Sequence, residues 1–151
     1  MELQRGKYKH GLSRHELFNC WCSMRYRCNN KNTTGYKNWG GRGISFCKRW
    51  GKFENFILDM HNDYLNHKKK FGKRDTLLDR IDNNKNYCPK NCRWVTRIEQ
   101  NSNTRKNVFI EFNGKKKTMS QWARDIGVDR TTIYYRVFKA KWSLERALKI
   151  N

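Results

Sequence analysis

The chain has 151 residues, with 34 Lys and Arg against 13 Asp and Glu, a formal net charge of +21 at pH 7. A chain this basic repels itself and seeks a polyanion. No apolar run approaches the roughly 20 residues that span a bilayer, and the opening Met1 to Lys7 lacks the apolar stretch of a secretion signal, so neither a membrane protein nor a secreted one is expected. The mean hydropathy of −1.08 borders on that of disordered chains, but 14% aromatic residues, 6 Trp and a single Pro point to packed cores and stacking platforms.

In chain order, Leu17, Trp21 and Met24 recur at spacings of four and three and predict a helix over Leu12 to Arg27, with Ser13 and Glu16 as a capping box. Asn29 to Asn32 is a polar turn. The glycines of Trp39-Gly40-Gly41-Arg42-Gly43-Ile44 permit a sharp turn or a close approach, and a short strand through Ile44 and Phe46 should follow. Phe53, Phe56, Ile57 and Met60 make a second amphipathic helix. Residues Asn62 to Arg74 read as a basic loop, and Leu77 to Asp82 as a strand broken by Asn83-Asn84-Lys85-Asn86. Pro89 suits the first turn of a third helix, running through Trp94, Val95 and Ile98 to about Ser102. There is no internal repeat. The polar stretch Asn101 to Asn107 divides the chain near residue 105, into a module of residues 1–105 and one of residues 106–151.

Six cysteines in a chain without a secretion signal are expected to be thiols. No C-x-x-C knuckle is present. A structural zinc on Cys28, Cys47, Cys92 and His15 is chemically feasible, but burial beside Trp21, Trp50 and Trp94 is the favoured reading.

The second module opens with a strand, Val108 to Phe112, and the hairpin dipeptide Asn113-Gly114. Thr118 and Gln121 form a capping box for a helix to about Ile126, Gly127 supplies a turn, and Asp129 suits the cap of a helix over Arg130 to Phe138. Ser143 begins a third helix. This is the pattern of a helix-turn-helix, whose second helix enters the major groove of DNA. Its candidate base readers are Arg130, Thr131, Thr132, Tyr135 and Arg136. It resembles the DNA-binding modules appended to many phage-type endonucleases. Arg42, Lys69, Lys70 and Arg93, with the run Lys115 to Lys117, are candidate phosphate contacts.

The most distinctive stretch joins Leu78-Asp79-Arg80-Ile81-Asp82-Asn83 to Tyr87-x-Pro89-x-Asn91-Cys92-Arg93-Trp94-Val95-Thr96 and to Glu99-Gln100-Asn101-x-Asn103. It resembles the core of HNH-type (His-Me finger) endonucleases of phages and mobile elements, and Trp21-x-x-Met24 and Tyr36-x-x-Trp39-Gly40-Gly41-Arg42-Gly43-Ile44 extend the likeness upstream. The resemblance implies an α+β fold: a small ββα-containing module, then a β-hairpin and a three-helix helix-turn-helix module. It implies duplex DNA as partner, a bacterial host cytoplasm as location, and phosphodiester hydrolysis with Mg²⁺ or a similar cation. Carried over, Asp79 matches the metal-binding Asp and Asn91 the structural Asn, while Gln100, with Asn103 nearby, stands at the second metal position. Arg80 occupies the general-base position, and an arginine cannot serve as a base. Either His15, His61 or His67 supplies the base, or the chain is a non-catalytic DNA-binding regulator on an HNH scaffold.

Overall fold

A computed structural model describes residues 11–148. The fold is mixed α+β, with two antiparallel β-hairpins and a C-terminal cluster of three helices, and the chain divides into two compact units, Met1–Arg97 and Ile98–Asn151. Among the described residues no helix is long and apolar enough to cross a membrane.

In the first unit, helix α1 (Phe18–Asn29) buries Trp21, Met24 and Cys28, continuing the four-three-four spacing from buried Leu17. It starts later than the capping box predicts, on Leu17, with no side-chain cap. Glu16 is occupied elsewhere: its Oε2 accepts from the Tyr64 hydroxyl at 3.0 Å and from Lys68 Nζ at 2.6 Å. A charged partner on another helix outcompetes the neutral local cap.

Helix α2 (Phe53–Phe71) runs through what reads as a basic loop, because Phe53, Phe56, Met60 and Tyr64 keep one buried face in register. Lys68, Lys69 and Lys70 occupy its last turn, where the helix dipole favours cations. Gly72, at φ +79°, ends it.

The predicted strand at Ile44 and Phe46 is only an isolated parallel bridge between Phe46 and Tyr87. Strand β1 (Leu77–Arg80) pairs antiparallel with β2 (Cys92–Val95), with Asp79 opposite Arg93 and Arg80 opposite Cys92. The predicted helix from Pro89 is therefore corrected. Pro89–Asn91 is one 3₁₀ turn, Cys92–Val95 is a strand, and helix α3 is confined to Arg97–Ser102. Trp94 is held in the strand by its indole N–H, which donates to the Met60 carbonyl at 2.9 Å. The core of this unit centres on Trp50, Phe53, Phe56, Leu17 and Met24, with the Trp50 and Phe56 rings edge to face at 4.9 Å. Its buried indoles are satisfied: Trp21 donates to the Trp50 carbonyl and Trp50 to Asp59.

In the second unit, strands β3 (Phe109–Phe112) and β4 (Lys115–Thr118) flank Asn113 (φ +50°) and Gly114 (φ +68°), the backbone of a two-residue primed turn. Helix α4 (Met119–Asp125) begins with the predicted capping box: the Gln121 amide donates to Thr118 Oγ1 and the Thr118 amide to Gln121 Oε1. Gly127, at φ +69°, makes the turn into α5 (Arg130–Tyr134), which continues as a π-helical turn over Tyr135–Lys139. Asp129 precedes α5 without a side-chain capping bond, contrary to expectation. Ser143 caps α6 (Leu144–Ala147) by accepting from the Arg146 amide. Ile110, Met119, Trp122, Ala123, Ile133 and Leu148 form the core, and the Trp122 indole donates to the Ile110 carbonyl.

Candidate nucleic-acid interface

Two features carry the candidate chemistry, one in each unit. The first is the β1–β2 hairpin with its 81–91 loop. Asn91 is buried and its amide staples that loop: Oδ1 accepts from the Asp82 amide at 2.9 Å, while Nδ2 donates to the carbonyls of Asp82 (3.1 Å) and Asn86 (2.9 Å). A second clasp comes from the glycine-rich segment. Arg42 donates to the Asn83 carbonyl at 3.3 Å and to Asn84 Oδ1 at 2.7 Å. The Ser45 amide donates to Asn86 Oδ1, and the Tyr87 amide to the Ser45 carbonyl. Gly40 makes this possible: a Cβ there would lie 2.1 Å from the Cys28 carbonyl oxygen and 2.2 Å from the Tyr36 ring. Arg42 is thus a structural clamp on the loop as well as a predicted phosphate contact. The roles of Asn84 and Asn86 were not legible, since an Asn-rich run reads only as a turn.

Asp79 is buried, and its Oδ2 faces the half-exposed Arg93 guanidinium at 3.4 Å. Arg80 is also buried; it donates to the Lys85 carbonyl at 2.9 Å and lies 4.8 Å from the Tyr87 ring centre. It therefore holds the loop from inside. A divalent cation needs several hard oxygen donors without a competing positive charge. Asp79 brings one carboxylate and Arg93 already stands against it, so these residues do not by themselves fit Mg²⁺. Gln100 lies half-buried in α3 and Asn103 just beyond it, its amide bonded to the Glu99 carbonyl; both belong to the second unit.

The alternative bases are engaged in packing. His15 Nδ1 accepts from the Leu17 amide, and its ring meets those of His61 at 4.9 Å and Phe53 at 5.7 Å. Burial, and then the neighbouring His61, lower its pKa. His67 Nδ1 is 3.0 Å from Thr76 Oγ1. The proposed zinc ligands are placed as packing groups: Cys28 and Cys92 are buried, Cys47 packs against the same core, and burial pushes the Cys92 thiol up to about 12. All six cysteines are free thiols, and among the described residues no three His, Cys, Asp or Glu side chains gather to hold a metal.

The second feature is the outer face of α5 and its π-helical turn. Arg130, Thr131, Tyr134 and Tyr135 are exposed, over a fully buried Ile133. Thr132 is half-buried. Arg136 points inward, donating to the Ala147 carbonyl at 3.2 Å with its guanidinium 5.4 Å from the Trp142 ring centre, so it ties the helices together. Tyr134, which the sequence reading passed over, stacks on Phe138 at 5.5 Å. Its signal was present, since positions 131, 134 and 138 share one helical face. Lys69 and Lys70 are exposed, whereas Lys68 is paired with Glu16 and Lys117 with Asp125. Comparison with known protein families, with curated proteins and with solved structures finds no match.

Proposed function

We propose that this chain is a duplex-DNA-binding protein of phage or mobile-element type, with an HNH-like ββα segment running from β1 through β2 to α3 and a helix-turn-helix after it. The observation that supports this most is the face of α5 and its π-helical turn: a cation, a hydroxyl and two phenols stand exposed there, in a chain of net charge +21. Arg130 and Thr131 read base edges from the helix start, and the lysine-rich surfaces meet phosphates. The test is duplex binding measured against salt concentration. Binding should weaken steeply with salt. Arg130→Ala should lose site preference by about 1–3 kcal/mol at one base position while retaining most bulk affinity. Absence of duplex binding at low salt refutes the reading.

The second reading is a cation-dependent DNA endonuclease. It is favoured by the consecutive order of β1, β2 and α3, with Asp79 on the first strand and Asn91 bracing the loop. The engaged state of Arg80 and the Asp79–Arg93 pair favour binding without cleavage. Plasmid nicking with Mg²⁺ or Mn²⁺ beside EDTA separates the two. Metal-dependent nicking abolished by Asp79→Ala establishes the endonuclease; salt-dependent binding with no nicking in any metal establishes the regulator.

A further inference from the structure

Ser23, Tyr26, Arg27, Thr33, Thr34 and Trp39 line an open groove of about 470 Å³ in the first unit. That volume falls within the roughly 300–1,000 Å³ typical of ligand sites. The lining combines the Tyr26 and Trp39 rings, the hydroxyls of Ser23, Thr33 and Thr34, and the Arg27 guanidinium. Tyr26 is 56% exposed. Trp39 is seated by the chain opposite: a Cβ on Gly35 would come within 2.7 Å of its ring, so the absence of a side chain there leaves room for the indole. Arg27 lies 5.3 Å from the Trp39 ring centre, which places its charge at the groove. Among the described lining residues there is no carboxylate.

We infer that this groove binds an unpaired base of single-stranded DNA, with the base on the exposed Tyr26 ring and the adjoining phosphate on Arg27. Aromatic faces recruit any planar ring, a lone cation without an opposing acid selects an anion, and hydroxyls serve both donor and acceptor edges of a base. A base inside a duplex has both faces covered by its neighbours, so only an unstacked base can use such a platform. The inference leans on the DNA-binding reading for its choice of DNA as the polyanion.

The test is fluorescence anisotropy on the full chain with an oligothymidylate of about eight nucleotides and, separately, a duplex of equal length at the same salt. Tyr26→Ala should weaken single-strand binding about tenfold, the loss expected for one stacking ring, and leave duplex binding within about twofold; Tyr26→Phe, which keeps the ring, should restore it. Circular dichroism of Tyr26→Ala should match the parent. Failure of the parent chain to bind the single strand overturns the inference, as does unchanged single-strand affinity in Tyr26→Ala or an equal loss on both probes. Tighter binding of oligouridylate than of oligothymidylate overturns the choice of DNA. The duplex arm reports on the proposed function and the single-strand arm on this groove, so either can fail alone.

Discussion

Replacing Asn91 by Ala removes one buried amide and three hydrogen bonds, those to the Asp82 amide, the Asp82 carbonyl and the Asn86 carbonyl. A typical intramolecular hydrogen bond contributes about 1 kcal/mol net, which puts the sum near 3 kcal/mol. The loop is partly open to solvent, so the freed backbone groups recover some water, and about 2 kcal/mol is expected. Asn91→Asp should fare no better. A carboxylate can still accept from the Asp82 amide, but it cannot donate to two carbonyls, and it places a second negative charge beside Asp82. The loss is local, because Asn91 closes the same loop that the Ile81 amide enters through its 2.8 Å bond to the Asn91 carbonyl. Amide exchange should therefore report it directly: Ile81, Asp82 and Tyr87 should exchange about 30-fold faster, the equivalent of 2 kcal/mol, while amides of the second unit are unchanged. Urea unfolding of the first unit should shift by the same free energy. A change below about 0.5 kcal/mol in Asn91→Ala, or uniform acceleration throughout the chain, would refute the view that this side chain staples the loop.

Gly40→Ala should destabilise the first unit by at least about 3 kcal/mol, because the new methyl meets a backbone carbonyl rather than a yielding side chain; a melting temperature within a degree or so of the parent would contradict that. Alkylation by iodoacetamide at mildly alkaline pH should spare Cys20 and Cys92 in the native chain, since burial pushes both thiols up to about 12, and reach both in urea; mass spectrometry of the peptides reads the result. Acid should unfold the first unit in a way traceable to Glu16 and Asp59, whose pKa values are lowered chiefly by hydrogen bonds from Lys68 and Arg49. Depressed carboxylate pKa values mean stability that is present above the unfolded values and lost as pH falls through the folded ones. The lowered pKa of His15 acts in the same direction, starting below its unfolded value; Glu16→Gln should remove the Glu16 part of the acid profile and, because the Glu16 charge partly raises the His15 pKa, enlarge the His15 part.

Local chemistry was readable wherever the deciding partner lies within a few residues. Asn113-Gly114 made its turn, Thr118 and Gln121 made their capping box, Gly127 broke the helix, and the buried faces of α1 and α2 followed their spacing. These outcomes depend on backbone conformation and on contacts three or four residues apart, which the order of residues settles directly. The net charge of +21 belongs to the same class, because it needs no geometry.

Tertiary structure decided the rest, through partners far along the chain. Glu16 left its capping box for Lys68, 52 residues away, and Arg42 closed on Asn83, 41 residues away. Trp94, bonded to a carbonyl 34 residues back, belongs to a strand where spacing alone suggested a helix. Sequence put Arg80 at the general-base position, Arg93 among the phosphate contacts and Arg136 among the base readers, yet one braces a loop, one faces a carboxylate and one joins two helices. A long charged side chain gains most where water is partly excluded and an acceptor is fixed. Which acceptor meets that condition is known only once the core has closed.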